Sequence, residues 1–274
     1  MLARSSCGPR ARPRPSSRSS GALRRAVAAF LVVLAAAGCA SLPPARQPIP
    51  AEAKASLDLL EHRRQAFSDL RTLAELTIRR NGRTQRFTGV LLLRAPASLR
   101  FEALSPMGTP VLIVAADSKQ LTLWEVADER AYIAPPTAEA NRRWLGLALG
   151  SEEAVAVLSG RVAPMADPLI AERLPADEIG PSLSLVGPDG KQRIWFDPTT
   201  GQARQVEWTG GKNPARVTFL PAKPDAPPAG LRLAALDGSL DVRITYRNPR
   251  MNTGFDPALL TLTVPEGVRI QDFR

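Results

Sequence analysis

The 274-residue chain is poor in the groups that most often do chemistry: two cysteines, one histidine and 5% aromatic residues. Cys7 lies upstream of an apolar run and Cys39 ends it. If the chain is cut before Cys39, one thiol remains with nothing to pair with, which excludes a disulfide framework. The lone histidine, His62, sits in "LLEHRRQ", a charged helical stretch, and reads as a solvated helix residue rather than a base. No GxSxG elbow, P-loop, GxGxxG or HExxH occurs. A zinc site would need a carboxylate cluster that the sequence does not show. The carboxylates are scattered through turns, and nothing points to a glycosidase-type pair. The chain is therefore expected to be no enzyme and to carry no metal or cofactor. A hydrolase assembled from dispersed residues is the weakest alternative.

Long hydrophobic runs are also missing. The longest, "AVAAFLVVLAAAG" at 26–38, has thirteen residues. A bilayer core needs about 20. Basic residues outnumber acidic ones 36 to 26, which suggests a nucleic-acid partner. The placement of the charge undoes that. Residues 1–38 hold seven arginines and no acid, and removing them leaves a net charge of +3. A domain so close to neutrality has no electrostatic footprint for DNA or RNA.

The basic lead, the short apolar run and the small residues after it read as a secretory signal over 1–38. The stretch "VVLAAAGCAS" resembles the lipobox of bacterial lipoproteins, in which a cysteine after small residues is acylated and becomes the N-terminus. Ala37 and Gly38 fit that pattern. Ala36 stands where the family usually has Leu. The alternative is an ordinary signal cut near Ala37 or Ala40, with Cys39 incidental. In the enteric sorting system, Ala40 after the cysteine implies the outer membrane. Residues 39–50, rich in Pro and Ala, read as a tether.

The domain is expected over 51–274. A leading helix is predicted from Ala51 to Asp69, with Leu57, Leu60, Arg64 and Phe67 three or four apart. The period then changes to two. "LAELTIRRNGRTQRFTGVLLLR" is a hairpin around Asn81-Gly82. "SLRFEAL", "PVLIVAAD" and "QLTLWEV" read as strands. So do the three parts of "GPDGKQRIWFDPTTGQARQVEW" and the two of "LRLAALDGSLDVRITYR". "LLTLTVPEGVRI" is predicted as the closing strand. That gives about ten or eleven strands in an antiparallel meander. Pro135 to Gly160 breaks the run with two short helices, for which Thr137 and Ser151 are predicted N-caps. Either they complete the core of a curled sheet or they form a lid over an apolar cavity.

The run "LRFEALSPMGTPVLIVAADSKQLTLWE" and the helical pair ending "LSGRVAP" resemble LolB, the outer-membrane lipoprotein receptor family, within a wider LolA/LolB-like superfamily of envelope lipoproteins. The resemblance covers Ala51 to about Pro164. It implies an α+β fold: an incomplete antiparallel β-barrel with a leading helix, an inserted helical lid and a cavity for acyl chains. It also implies that the Pro106-Met107-Gly108 loop meets the membrane, with Met107 where the family typically has Leu. The local sequence fits a type I turn with Met107 at its projecting position. Candidate cavity residues are Trp124, Trp144, Leu145, Leu158, Trp195, Phe196 and Trp208.

The expected protein is a lipid-anchored monomer on the periplasmic side of the outer membrane. It binds acyl chains of lipoproteins or lipids and takes part in moving them, with a periplasmic carrier protein as a further candidate partner. The alternative is an envelope scaffold of the same fold with a filled core. Acylation at Cys39 is checked by intact mass: the envelope form should begin at Cys39 and carry acyl additions, and an unmodified Cys39 defeats the expectation.

Overall fold

The computed structural model describes residues 45–145, 149–211, 214–222 and 226–272, with residues 143–145 and 272 described by their backbone alone. The chain divides at Pro43/Pro44, and every described residue belongs to the second unit, Pro44–Arg274. The expected signal and Cys39 lie outside the described residues.

Helix α1 (Ala51–Gln65) leads into β1 (Asp69–Arg80), β2 (Arg83–Arg94), β3 (Ser98–Leu104), β4 (Pro110–Ala116), β5 (Leu121–Glu125) and β6 (Arg130–Ala134). Two short helices follow, α2 (Ala138–Leu145) and α3 (Ser151–Leu158). The second half runs β7 (Ile170–Leu174), β8 (Ser182–Gly187), β9 (Gly190–Phe196), β10 (Ala203–Thr209), β11 (Ala215–Phe219), β12 (Gly230–Ala235), β13 (Leu240–Met251) and β14 (Arg269–Asp272). The described strands form one 14-stranded sheet, with β1 beside β13 at its middle and β14 and β7 at its edges. All neighbours are antiparallel except β14, which runs parallel to β6.

The sheet has two distinguishable ends. Asn81 and Gly82 form a two-residue turn with both φ angles positive, 49° and 74°, as a hairpin of this twist requires. The strand registers place the β3–β4 loop, Pro188-Asp189 and Asp237-Gly238 at that same end, here called the tip. The C-terminus of α1, the β9–β10 turn and the β11–β12 connection lie at the opposite end, the base.

Alternation along the strands decides which face is buried. In β3, Leu99, Phe101 and Ala103 point inward, as predicted. In β13, Leu240, Ile244 and Tyr246 do the same. Inward residues of β2–β5 and of β7–β13 join one apolar core, so the open sheet curls until its halves share an interior. Helix α1 packs on β7, and α3 packs on β2 and β3.

Several expectations are corrected. Fourteen strands stand where ten or eleven were predicted: β6, β7 and β11 have no predicted counterpart, and β14 overlaps only the end of the predicted closing stretch. The leading helix stops at Gln65 rather than Asp69. The Asp69 carboxylate instead accepts from the backbone N–H groups of Thr253 and Gly254 at the far end of β13. "LLTLTV" alternates in burial but makes no strand. It belongs to a strap that leaves β13 at the base, lets the Thr261 carbonyl accept from Arg100 on β3, and delivers β14 to β6. Thr137 does cap α2, accepting from Ala140 N–H at 3.2 Å. Ser151 does not cap α3. Gly150 holds the N-cap position, and Glu153 reaches back to its N–H at 2.9 Å. The α3 residues Ala154, Val155 and Val157 lie in the core, so α3 completes the interior rather than covering it as a lid. Residues 46 and 47 of the expected tether lie against the domain: Gln47 N–H donates to Leu169 at 2.8 Å, and Arg46 pairs with Asp167.

The β9–β10 turn is set by Asp197, whose carboxylate accepts from the N–H groups of Thr199 and Thr200 and pairs with Arg204. Those donors lower its pKa from 3.8 to about 2, the Thr200 N–H most of all. A depressed carboxylate pKa stabilises the fold above the unfolded value and loses that contribution as pH falls through the folded one. Thermal melts should therefore show Asp197→Asn less stable than wild type at neutral pH. The gap should close between pH 3.8 and about 2, and a gap constant with pH would contradict this.

Candidate functional site

At the base, α1, the segment after α3 and the β11–β12 connection line a half-open cavity of about 500 Å³. Its apolar walls come from Leu59 and Leu60 of α1, Val162, Phe219, Pro228 and Met251. His62, Arg63 and Arg161 supply its charged and titratable groups, and no carboxylate lines it among the described residues. The Thr200 carbonyl of the Asp197 turn accepts from Arg63 at 2.6 Å and so ties that turn to α1.

Arg161 fixes the cavity's inner wall. Helix α3 ends in a Schellman motif: Gly160 N–H donates to Val157, and Arg161 N–H donates to Ala156. Gly160 has φ of 76°, and a Cβ there would meet Pro228 at 2.9 Å, so only glycine fits. The chain reversal aims the Arg161 side chain back at α1. Its Nε donates to the Arg63 carbonyl at 2.9 Å and its Nη1 to the Ser159 carbonyl at 2.6 Å. Both carbonyls belong to helix C-terminal ends, which lack intrahelical partners and carry partial negative charge. The guanidinium also lies 4.8 Å from the Phe67 ring centre and touches Met251 Sδ. Burial, with a smaller push from Arg63, lowers the Arg161 pKa to about 10, so it stays charged at neutral pH. Behind this wall, Tyr246 donates from its hydroxyl to the Leu158 carbonyl at 2.6 Å. Burial raises that phenol well above its ordinary range.

None of the candidate cavity residues whose side chains are described lines this cavity. Two lie on the wrong face. Trp195 alternates with the core residues Ile194 and Phe196, so it points outward. There its indole N–H donates to Asp177 at 2.9 Å, and Arg193 stacks on the ring at 4.4 Å. Trp124 alternates with Leu123 in the same way and faces out with its N–H buried and unpaired. Large aromatics in strands signal burial, and burial here occurs on both faces of the sheet. Phe196 is buried in the core, while Leu158 and Trp208 are half-buried against it. The Trp144 and Leu145 side chains lie outside the described residues. Pro106 and Met107 form the turn at the β3–β4 tip. Gly108 N–H closes it on Ser105 at 2.9 Å, and Met107 is 92% exposed. That loop and the cavity lie at opposite ends of the sheet.

No protein-family model matches the chain, and no curated protein matches it. Solved structures do. One described as a candidate outer-membrane lipoprotein-sorting protein domain, from Vibrio parahaemolyticus, aligns with TM-score 0.54 at 12% identity over 76% of this chain and 97% of its own. The chain shares its fold. A DUF1329 family protein from Desulfovibrio piger aligns with the same TM-score, identity and coverage. At such identity the likeness shows architecture alone.

Sequence reasoning missed the Arg161 contact. "LSGR" announces a helix end at Gly160, but the Arg63 carbonyl is 98 positions away. Arg161→Met should keep the side-chain stem and strand both carbonyls, at a cost of about 2–4 kcal/mol in urea unfolding. Arg161→Lys, with one compact head, should recover only part. Wild-type stability in Arg161→Met would remove the clasp from this account.

Proposed function

We propose that the protein is an envelope lipoprotein that binds acyl chains in the base cavity and takes part in moving lipids or lipoproteins. Cys39, acylated, holds it at the periplasmic face of the outer membrane. A periplasmic carrier supplies the cargo, and Met107 touches the bilayer. The protein acts as a monomer, without catalysis, cofactor or nucleic acid. The observation that carries the reading is the cavity: about 500 Å³, with about half of its wall apolar, inside the range of roughly 300–1,000 Å³ typical of small-molecule sites. The shared fold with a candidate lipoprotein-sorting domain supports the same reading.

Chain length provides the test. Each methylene removed from water contributes about 0.8 kcal/mol. Affinity for a series of fluorescent fatty acids should therefore rise about tenfold for every two carbons until the cavity is full. Ala222→Trp, on the connection that forms one wall, should fill the space and weaken binding of the longest acid most. Absence of binding, and of co-purified lipid in native mass spectrometry, would favour a scaffold without a ligand.

A further inference from the structure

The outer face of the central strands carries charge that the fold does not use. Register places Arg86 of β2, Thr77 of β1, Arg243 of β13 and Arg232 of β12 in one row across the sheet. Arg79 and Asp241 stand in the next row toward the tip. These six residues line a groove of about 440 Å³. Asp241 is taken by Arg232, and Glu75 on the same face is taken by Arg247. The side chains of Arg79, Arg86 and Arg243 make no ion pair or hydrogen bond with any described residue. Arg80 and Arg83 stand directly opposite each other across the hairpin, on the other face of the sheet at the same tip. Like charges so placed destabilise a sheet pair, so folding alone gives no reason for them.

We propose that this face docks on the phosphate head groups of an anionic bilayer. Three features at the tip favour a bilayer over an acidic protein. Met107 is 92% exposed and Leu236, in the β12–β13 turn, is 38% exposed, which puts apolar side chains beside the cationic face. Gln47 and Arg46 are held against Leu169 and Asp167, just before β7, so the chain leading back to Cys39 leaves the domain at the tip. The six steps along the chain from Cys39 to Ala45 reach at most about 20 Å. An acyl anchor there, which is part of the function proposed above, keeps the tip within reach of the membrane. The base cavity then faces the periplasm, where a carrier can approach it.

The test uses the unit Pro44–Arg274, which holds the whole described core and lacks both the basic leader and Cys39. It should co-sediment with vesicles of equal parts phosphatidylglycerol and phosphatidylcholine, weakly with phosphatidylcholine alone, and less as salt rises. Arg79→Gln/Arg86→Gln/Arg243→Gln should weaken binding to the anionic vesicles about hundred-fold. Fatty-acid binding should stay unchanged, because the three side chains lie outside the interior. That second readout certifies folding and separates this proposal from the cavity reading. If the lone cavity reading is wrong, vesicle binding still responds to the three arginines. Equal binding by wild type and variant, or indifference to lipid charge, overturns the docking face. So does binding of polyglutamate in place of vesicles, which would assign the face to an acidic protein.

Discussion

The Arg161 guanidinium is where α1, α3 and the end of β13 are held together. Each contact answers a need created elsewhere. Two helices end at the base with carbonyls that have no partner in their own helix, and the Phe67 ring presents its face. A planar group with five donors can serve both carbonyls while stacking on a ring, which a lysine cannot do. Its formal charge makes no ion pair among the described residues and is offset instead by the negative ends of two helices. Without it, the strands of the base could still pair and α1 would keep its packing on β7, but the C-terminal end of α1 would lose its tie to α3.

The open sheet separates the two ends of the molecule. A closed barrel has no free edge, whereas this sheet has two. The strap after β13 passes the outer face of β3 and pairs β14 with β6, and part of the outer face of β3–β6 is buried. Ile113, Ala115 and Ala131 are buried there although they alternate with inward residues. The outer face of β12–β13–β1–β2 stays uncovered and carries arginines. The interior is filled by α3 toward the middle and left open at the base, beneath α1.

Hairpins, alternation and helix caps were legible in the sequence because each is local. Asn81-Gly82 fixes its turn through two positive φ angles, and "SLRFEAL" fixes its own inward face. Thr137 caps the helix that follows it. Where local signals competed, the reading failed. Ser151 has the right side chain for a cap, but Glu153 reaches Gly150 first. "LLTLTV" alternates as a strand should, yet its neighbours are side chains of a sheet face rather than the edge of a strand.

The sequence by itself determined the meander, its turns and the residues of one face of each long strand, since these follow from backbone sterics and from a period of two. Only the tertiary structure decided what each face meets. Trp124 and Trp195 carry the same apolar signal as Phe196, and a one-residue offset puts them outside. The cavity gathers α1, Val162, Phe219 and Met251 from positions up to 192 apart. No local pattern encodes that gathering, because it depends on how far the sheet curls and on where two helices end.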